Sequence, residues 1–138
     1  MRALLALIAL LTLAAPAEAA GTKITAADSR FGTMLWGPNR QAIYVFEKDG
    51  RNRTNCKGDC AEAWPPFLAS DKPSAGAGVD RALLGTVPRR DGGRQVTYAG
   101  QPLYFYEHDP KGEVLCNDIA EFGGTWFAVT AEGKKPPA

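Results

Sequence analysis

Cys56 and Cys60 are the residues of this sequence whose type and spacing most directly permit chemistry. They enclose three residues in the segment CKGDC. A cysteine pair at this spacing can bind a soft metal such as Cu(I), or it can act as a redox couple. Copper would need a third ligand, and the candidates are Cys116, His108 and Met34. The sequence brings none of these three close to the pair, so copper binding stays one hypothesis among others.

The same cysteines can instead form a structural disulfide. A Cys56–Cys60 bridge closes a very short loop and stabilises the fold by about 2 kcal/mol in the chain-entropy model. A bridge from either residue to Cys116 closes about 60 residues and is worth about 4 kcal/mol. The chain has three cysteines, so one thiol is left unpaired in either case. Spacing alone leaves both pairings open.

Two acidic and aromatic segments form the second candidate site. They read YVFEKD from Tyr44 and YFYEHD from Tyr104. On a strand, Glu47 and Asp49 would share one face, as would the equivalent residues of the second segment, and each carboxylate pair could bind a hard cation. The alternative, which we favour, is a buried aromatic face, a solvated acidic face and a turn. Asp109 supports it, because it begins DPKG, a preferred type I turn sequence.

The two segments belong to an internal duplication. Their tyrosines are 60 residues apart, as are their aspartates and as are Cys56 and Cys116, and a pair of tryptophans follows at a spacing of 62. The sequence therefore predicts two related units, about 32–69 and about 85–131, packed together with approximate two-fold symmetry. One structural unit built twice explains the repeated motif.

The fold class predicted from these segments is mostly β, α+β at most, because the ordered segments are short and rich in aromatic and β-branched residues. We expect two hairpin-containing units in one small domain, residues 20–138, with short helical turns in the Cys loops. The segment 89–94 is expected to be a charged hairpin turn and not an anion-binding site. The predicted hairpins are 33–36 with 42–46 and 95–98 with 102–106, the last strand is 126–129, and the helical turns are at 60–64 and 117–121.

Residues 1–19 have the pattern of a secretory signal peptide. A basic start is followed by a short apolar run and by small residues before the expected cleavage site after Ala19. The rest of the chain has no apolar segment long enough for a membrane span, so we expect a periplasmic or secreted protein. The net charge of +1 argues against nucleic acid as a partner.

Several motifs stand in a fixed order along the chain: the paired Y-x4-D segments, C-x3-C-A-x2-W-P-P at 56–66, R-x-D-G-x-R-Q-V-T-Y at 89–98, G-x-P-L-Y at 100–104 and G-G-x-W at 123–126. Together they make the chain resemble a known bacterial family. It is similar to the secreted-repeat proteins, a family of predicted lipoproteins with Y-x4-D motifs and of unknown function. The resemblance implies export and a duplicated β-rich unit, and it supplies no substrate. It also favours the Cys56–Cys60 disulfide with Cys116 free, because the first two cysteines often occur alone in the family. The chain departs from the family by lacking a lipobox cysteine, which favours a free periplasmic protein.

The function predicted from the sequence is a non-enzymatic binding or interaction module of the cell envelope. A single histidine and the lack of a G-x-S-x-G motif leave no catalytic triad to propose. We expect no resident cofactor and an unidentified ligand or envelope protein as partner. The alternative is a periplasmic copper-binding or thiol-redox accessory protein that uses Cys56 and Cys60, with His108 among the metal ligands.

Overall fold

The computed structural model describes residues 21–137, so the expected signal peptide lies outside the described residues. Within them the chain is mostly β, as the sequence predicts. The strands are β1 (Lys23–Ser29), β2 (Gly32–Trp36), β3 (Tyr44–Phe46), β4 (Ser74–Ala75), β5 (Leu84–Pro88), β6 (Arg94–Tyr98), β7 (Gln101–Pro102), β8 (Ile119–Glu121) and β9 (Gly124–Ala128); the helical segments are α1 (Asp59–Ala63) and the 3-10 turns Pro38–Arg40 and Arg81–Leu83.

The strands form three small sheets of three strands each, in the orders β2-β1-β4, β3-β9-β8 and β5-β6-β7. The β1–β4 pair is parallel, and the other pairs are antiparallel. β3 belongs to the first repeat and β9 to the second, so the sheet that contains them joins the two units. A backbone bond from the Leu35 amide to the Val129 carbonyl, 2.8 Å long, places β2 beside the end of β9.

The central strands β2, β3 and β9 are buried on both faces. Tyr44 and Phe46 point into one hydrophobic core, while Val45 between them points into a second core. Trp126 and Ala128 of β9 also line the first core. Alternate residues of a strand face opposite sides, so a strand between two cores must be apolar along its length. This explains why the segments 34–36, 44–46 and 126–128 are apolar at every position.

The first predicted hairpin is only partly correct. Residues 37–40 do form a turn, but β2 and β3 diverge after it, and their pairing is reduced to a bridge between Trp36 and Ala42. β2 instead forms a hairpin with β1, and β3 pairs with β9. The second predicted hairpin is present as β6 and β7, with Tyr98 opposite Gln101.

Among residues 21–137, helical structure is confined to short segments. α1 lies in the first Cys loop and ends before Pro65, as expected from the restriction that proline places on the preceding residue. The second helical turn, predicted at 117–121, is not formed, because residues 119–121 pair with β9 as strand β8. No helix among the described residues has the length and apolar character needed to cross a membrane.

Candidate functional site

Tyr44 and Tyr104, the first residues of the two repeated motifs, lie opposite each other at the centre of the molecule. The amide of each donates a hydrogen bond to the carbonyl of the other, and both bonds are 2.9 Å long. Both rings are fully buried in the core that also contains Trp126. The two repeats therefore meet at an antiparallel pair of equivalent residues, which is the arrangement expected at an approximate two-fold axis.

A tight turn follows each tyrosine and brings the motif aspartate back toward the core. The Asp49 amide donates to the Phe46 carbonyl at 3.0 Å, and the Asp109 amide donates to the Tyr106 carbonyl at 3.2 Å. In each repeat, the backbone thus leaves the extended conformation before it reaches the aspartate. The aspartates occupy equivalent positions in the two repeats and no longer follow the alternation of a strand.

The hydrogen bonds of the motifs cross between the repeats. The Tyr104 hydroxyl donates to Asp49 Oδ2 at 2.6 Å, and the Tyr44 hydroxyl donates to Asp109 Oδ2. We refer to these two pairs as the crossed Tyr–Asp pairs. The expected solvated acidic face is wrong for both aspartates, because the turn directs them inward. Of the four acidic residues in the two motifs, only Glu47 and Glu107 are exposed.

Burial shifts the ionisation of the crossed Tyr–Asp pairs. It raises the pKa of Asp49 to about 6, while hydrogen bonds from Tyr104 and from the Asn55 amide act in the opposite direction. Burial also raises the pKa of Asp109. The pKa values of Tyr44 and Tyr104 are raised as well, first by burial and then by the neighbouring carboxylates. Both tyrosines are therefore neutral hydroxyl donors at physiological pH.

Cys56 and Cys60 form a disulfide, and Cys116 is a free, buried thiol. The bridged residues are 1% and 8% exposed, so the sulfurs are shielded from solvent. Burial raises the pKa of the Cys116 thiol to about 11. The Cys116 amide lies 3.4 Å from the Tyr44 hydroxyl, which accepts its hydrogen bond. Cys116 thus lies beside a crossed Tyr–Asp pair, with its thiol protonated.

The residues proposed as metal ligands lie in different environments. The imidazole of His108 is largely exposed, with Nε2 3.2 Å from Glu107 Oε1. Met34 is buried in the same hydrophobic core as the three cysteines. Among residues 21–137, no group of three or more His, Cys, Asp or Glu residues has an arrangement that could hold a metal ion.

Arg89 is buried, which the sequence analysis did not anticipate. It is 7% exposed and donates to Asp91, Gln95 and the Cys56 carbonyl, with distances between 2.6 and 2.9 Å. A further bond of 3.1 Å reaches Thr54, whose hydroxyl lies 2.6 Å from that of Tyr104. Arg89 therefore links the first Cys loop and the β5–β6 turn to a crossed Tyr–Asp pair.

Trp64 and Trp126 stack at the junction of the repeats. Their ring centroids are 4.0 Å apart, and their planes differ by 5°. The Trp64 Nε1–H group donates to Glu121 Oε2 at 2.8 Å, and the Trp126 Nε1–H group donates to the Glu121 carbonyl at 3.1 Å. Trp64 and Trp126 are buried in the core, so they do not form an open aromatic groove.

A basic cleft lies between the first Cys loop and the β5–β6 turn. Its walls are residues 52–57 and 88–91, and its volume is about 330 Å³. Arg53, Lys57 and Arg90 are exposed along these walls, with buried Arg89 between them. The cleft could not be predicted from the sequence, because its walls come from segments more than thirty residues apart.

Comparison with known proteins identifies a family. A family model described as a secreted repeat of unknown function matches residues 19–67 and, a second time, residues 85–130. No curated protein and no solved structure matches the chain. The two matched segments contain the two repeated motifs, one in each.

Proposed function

Since the chain belongs to the family of secreted repeats of unknown function, we propose that it is an exported, non-enzymatic binding module of the bacterial cell envelope that acts in the periplasm. Its partner is a ligand or protein of the envelope. The fold provides a rigid support, and the loops provide the binding surface.

The observation that carries this proposal is the crossing of the Tyr–Asp pairs. The tyrosines and aspartates of the repeated motif are turned toward each other in the interior, each bonded to the opposite repeat. A carboxylate whose oxygen accepts a tyrosine hydroxyl in this way is occupied in holding the two units together. The motif therefore maintains the fold, and partner recognition falls to exposed loops, where binding residues are commonly found.

The disulfide supports the same interpretation. Both bridged cysteines are buried, which limits the access that thiol exchange with a partner protein requires. Copper binding or redox work by Cys56 and Cys60 would require the bridge to open. We therefore assign the bridge a structural role and retain the copper or thiol-redox function only as the alternative to be tested.

The two Cys loops differ, although the cores around them are alike. The first loop is held by the disulfide and by the hydrogen bond from Arg89 to the Cys56 carbonyl. The second loop has no disulfide, and its cysteine, Cys116, is free. We infer from this difference that the first loop has specialised for binding. The first Cys loop is accordingly the binding region that we propose.

Sedimentation with isolated envelopes tests the proposal. The labelled exported chain is mixed with cell envelopes from the producing bacterium, and bound chain is measured over a range of concentrations. We expect saturable binding that excess unlabelled chain displaces. Chain unfolded by heat and reduced serves as the control, and it should show no saturable component. Binding that rises linearly, or that is equal for folded and unfolded chain, would contradict the proposal.

A further inference from the structure

We propose that the basic cleft binds the phosphoryl group of an envelope component. This inference rests on the proposed function and deepens it by naming the class of ligand. It is drawn from the charge of the cleft, from the rigidity of its walls and from the contrast between the two repeats.

The cleft has three positive charges that no carboxylate balances. Arg53, Lys57 and Arg90 make no ion pair with any residue between 21 and 137. The charge of Arg89 is offset by Asp91, whose pKa is lowered by its hydrogen bonds with that guanidinium. For a chain with a net charge of only +1, this is a concentrated positive field, and a cleft focuses such a field on an incoming anion.

The walls of the cleft are held in place before any ligand arrives. Arg89 bonds the Cys56 carbonyl and Thr54 on one wall and Asp91 on the other. The Cys56–Cys60 disulfide restrains the first wall further. Every N–H group of the Arg89 side chain is used in these bonds and in the bond to Gln95, so Arg89 positions the walls and does not contact the ligand. A site fixed in this way loses little entropy on binding.

Phosphate is the anion that fits this arrangement. Guanidinium groups bind phosphate oxygens through charge-assisted hydrogen bonds, and a lysine adds a point charge. Three cations match a phosphate dianion better than a single carboxylate. The volume of about 330 Å³ lies at the lower end of the range for small-molecule sites and can admit a phosphate with an attached group.

The second repeat provides an internal comparison. Its equivalent loop, residues 109–117, has Lys111 as its only cation, together with Asp109 and Glu113. The positive charge of the first Cys loop is therefore not required by the repeated core, because the equivalent loop of the second unit is built without it. The basic residues of the first loop are available for binding.

Titration calorimetry with inorganic phosphate and with pyrophosphate tests the site on the exported chain. We compare it with the triple variant Arg53→Gln, Lys57→Gln, Arg90→Gln and with a control variant of equal charge, Lys72→Gln, Lys111→Gln, Lys134→Gln. All six side chains are exposed, so both variants should fold, as circular dichroism will verify.

We expect the exported chain to bind, and to bind more weakly as salt is raised. The cleft variant should lose about tenfold or more in affinity, as expected when charge-assisted bonds to phosphate are removed. The control variant should stay within about threefold, because none of its three substituted residues lines the cleft. Equal losses in both variants, or no binding by the exported chain, would overturn the proposal.

Vesicle flotation distinguishes the sources of the phosphoryl group. Retention on phosphatidylglycerol vesicles but not on phosphatidylcholine vesicles, lost in the cleft variant, supports a lipid headgroup. Binding of pyrophosphate without vesicle retention supports a free phosphate compound. Saturable binding to envelopes without any phosphate binding would overturn this inference alone. Phosphate binding without envelope binding would leave the cleft site standing and refute the envelope module.

Discussion

At the residue scale, the Y-x4-D motif holds the two copies of one unit together through hydrogen bonds. Tyr44 begins strand β3, and Tyr104 pairs with it through a single bridge. Both rings lie in the core, and each aspartate returns toward it through a turn. The carboxylates are held where burial opposes their charge, so the folded state favours their protonated form. This has a consequence for stability that can be measured.

Asp49 should make the protein less stable as the pH rises through 6. Its pKa is about 6 in the folded chain, above the ordinary value of 3.8. A raised carboxyl pKa contributes stability that is complete below the ordinary value and is lost as the pH rises through the folded value. The free energy of unfolding, measured with urea from pH 4 to pH 7, should fall less steeply in Asp49→Asn than in the unmodified chain.

Glu47→Gln is the matched control for this measurement. Glu47 directly follows strand β3, close to Asp49 in the sequence, but its side chain is exposed. The variant should retain the pH profile of the unmodified chain. Identical profiles for all three proteins would mean that Asp49 is not held in the folded state in the way described.

At the element scale, the first Cys loop is fixed by one disulfide and one buried arginine. The free energy of unfolding should fall by about 2 kcal/mol in Cys56→Ala/Cys60→Ala, the value for a very short closed loop.

Thiol titration of the unmodified chain should count one thiol after unfolding and almost none before it. With a thiol pKa of about 11, Cys116 is ionised to only about one part in a thousand at pH 8, and it is also buried.

Metal analysis of the same sample tests the alternative function. Two reduced thiols at Cys56 and Cys60 together with bound copper would refute the structural assignment of the bridge. One disulfide per chain and one thiol revealed only by unfolding would support it.

Arg89→Lys should destabilise the fold even though the charge is kept. Lysine cannot reproduce the planar fork that reaches Gln95 and the Cys56 carbonyl together, so buried acceptors lose their donors. We expect a loss of about 2 kcal/mol or more in urea unfolding. Arg90→Lys, at the adjacent exposed position, should change stability by less than about 0.5 kcal/mol. Equal losses of stability in the two variants would contradict the role of Arg89 in holding the first Cys loop.

Sequence patterns predicted the central strands well and the edges poorly. β3 and β9 read as strands because a strand between two cores is apolar on both faces. β1, with the sequence KITAADS, was missed, because its exposed face interrupts the apolar pattern. The first hairpin was assigned to neighbouring segments, whereas long-range pairing with β9 determines where β3 lies.

The candidate site was predicted in its residues but not in its partners. The spacing of 60 residues identified the tyrosines and aspartates, but no spacing reveals that Tyr44 bonds Asp109. Arg89 was missed because its segment is dominated by turn residues. The inward alternation of Val87 and Arg89, both buried, was the signal available.

At the scale of the whole molecule, the two units depend on each other. β3 of the first repeat pairs with β9 of the second, and the tryptophans of the two repeats stack on each other. A single unit would expose these surfaces to water, and a domain of that size has little other core to compensate. The duplication therefore yields one cooperative domain and not two independent ones.

Dividing the chain after Gly78 tests this dependence. The cut lies in an exposed segment, and no disulfide crosses it. Fragments 20–78 and 79–138 should each lack a cooperative urea transition when measured alone by tryptophan fluorescence. Mixing them should restore the transition. A cooperative transition in either fragment by itself would contradict the account.

A double-mutant cycle on the motif residues tests the central claim most directly. The free energy of unfolding is measured for Tyr104→Phe, Asp49→Asn and the double variant, and likewise for Tyr44→Phe combined with Asp49→Asn. The crossed arrangement predicts a coupling of about 1–2 kcal/mol between Tyr104 and Asp49, which share a hydrogen bond. It predicts a much smaller coupling between Tyr44 and Asp49. Coupling within the repeat and none across it would contradict the crossed Tyr–Asp pairs and reopen the motif as a chemical site.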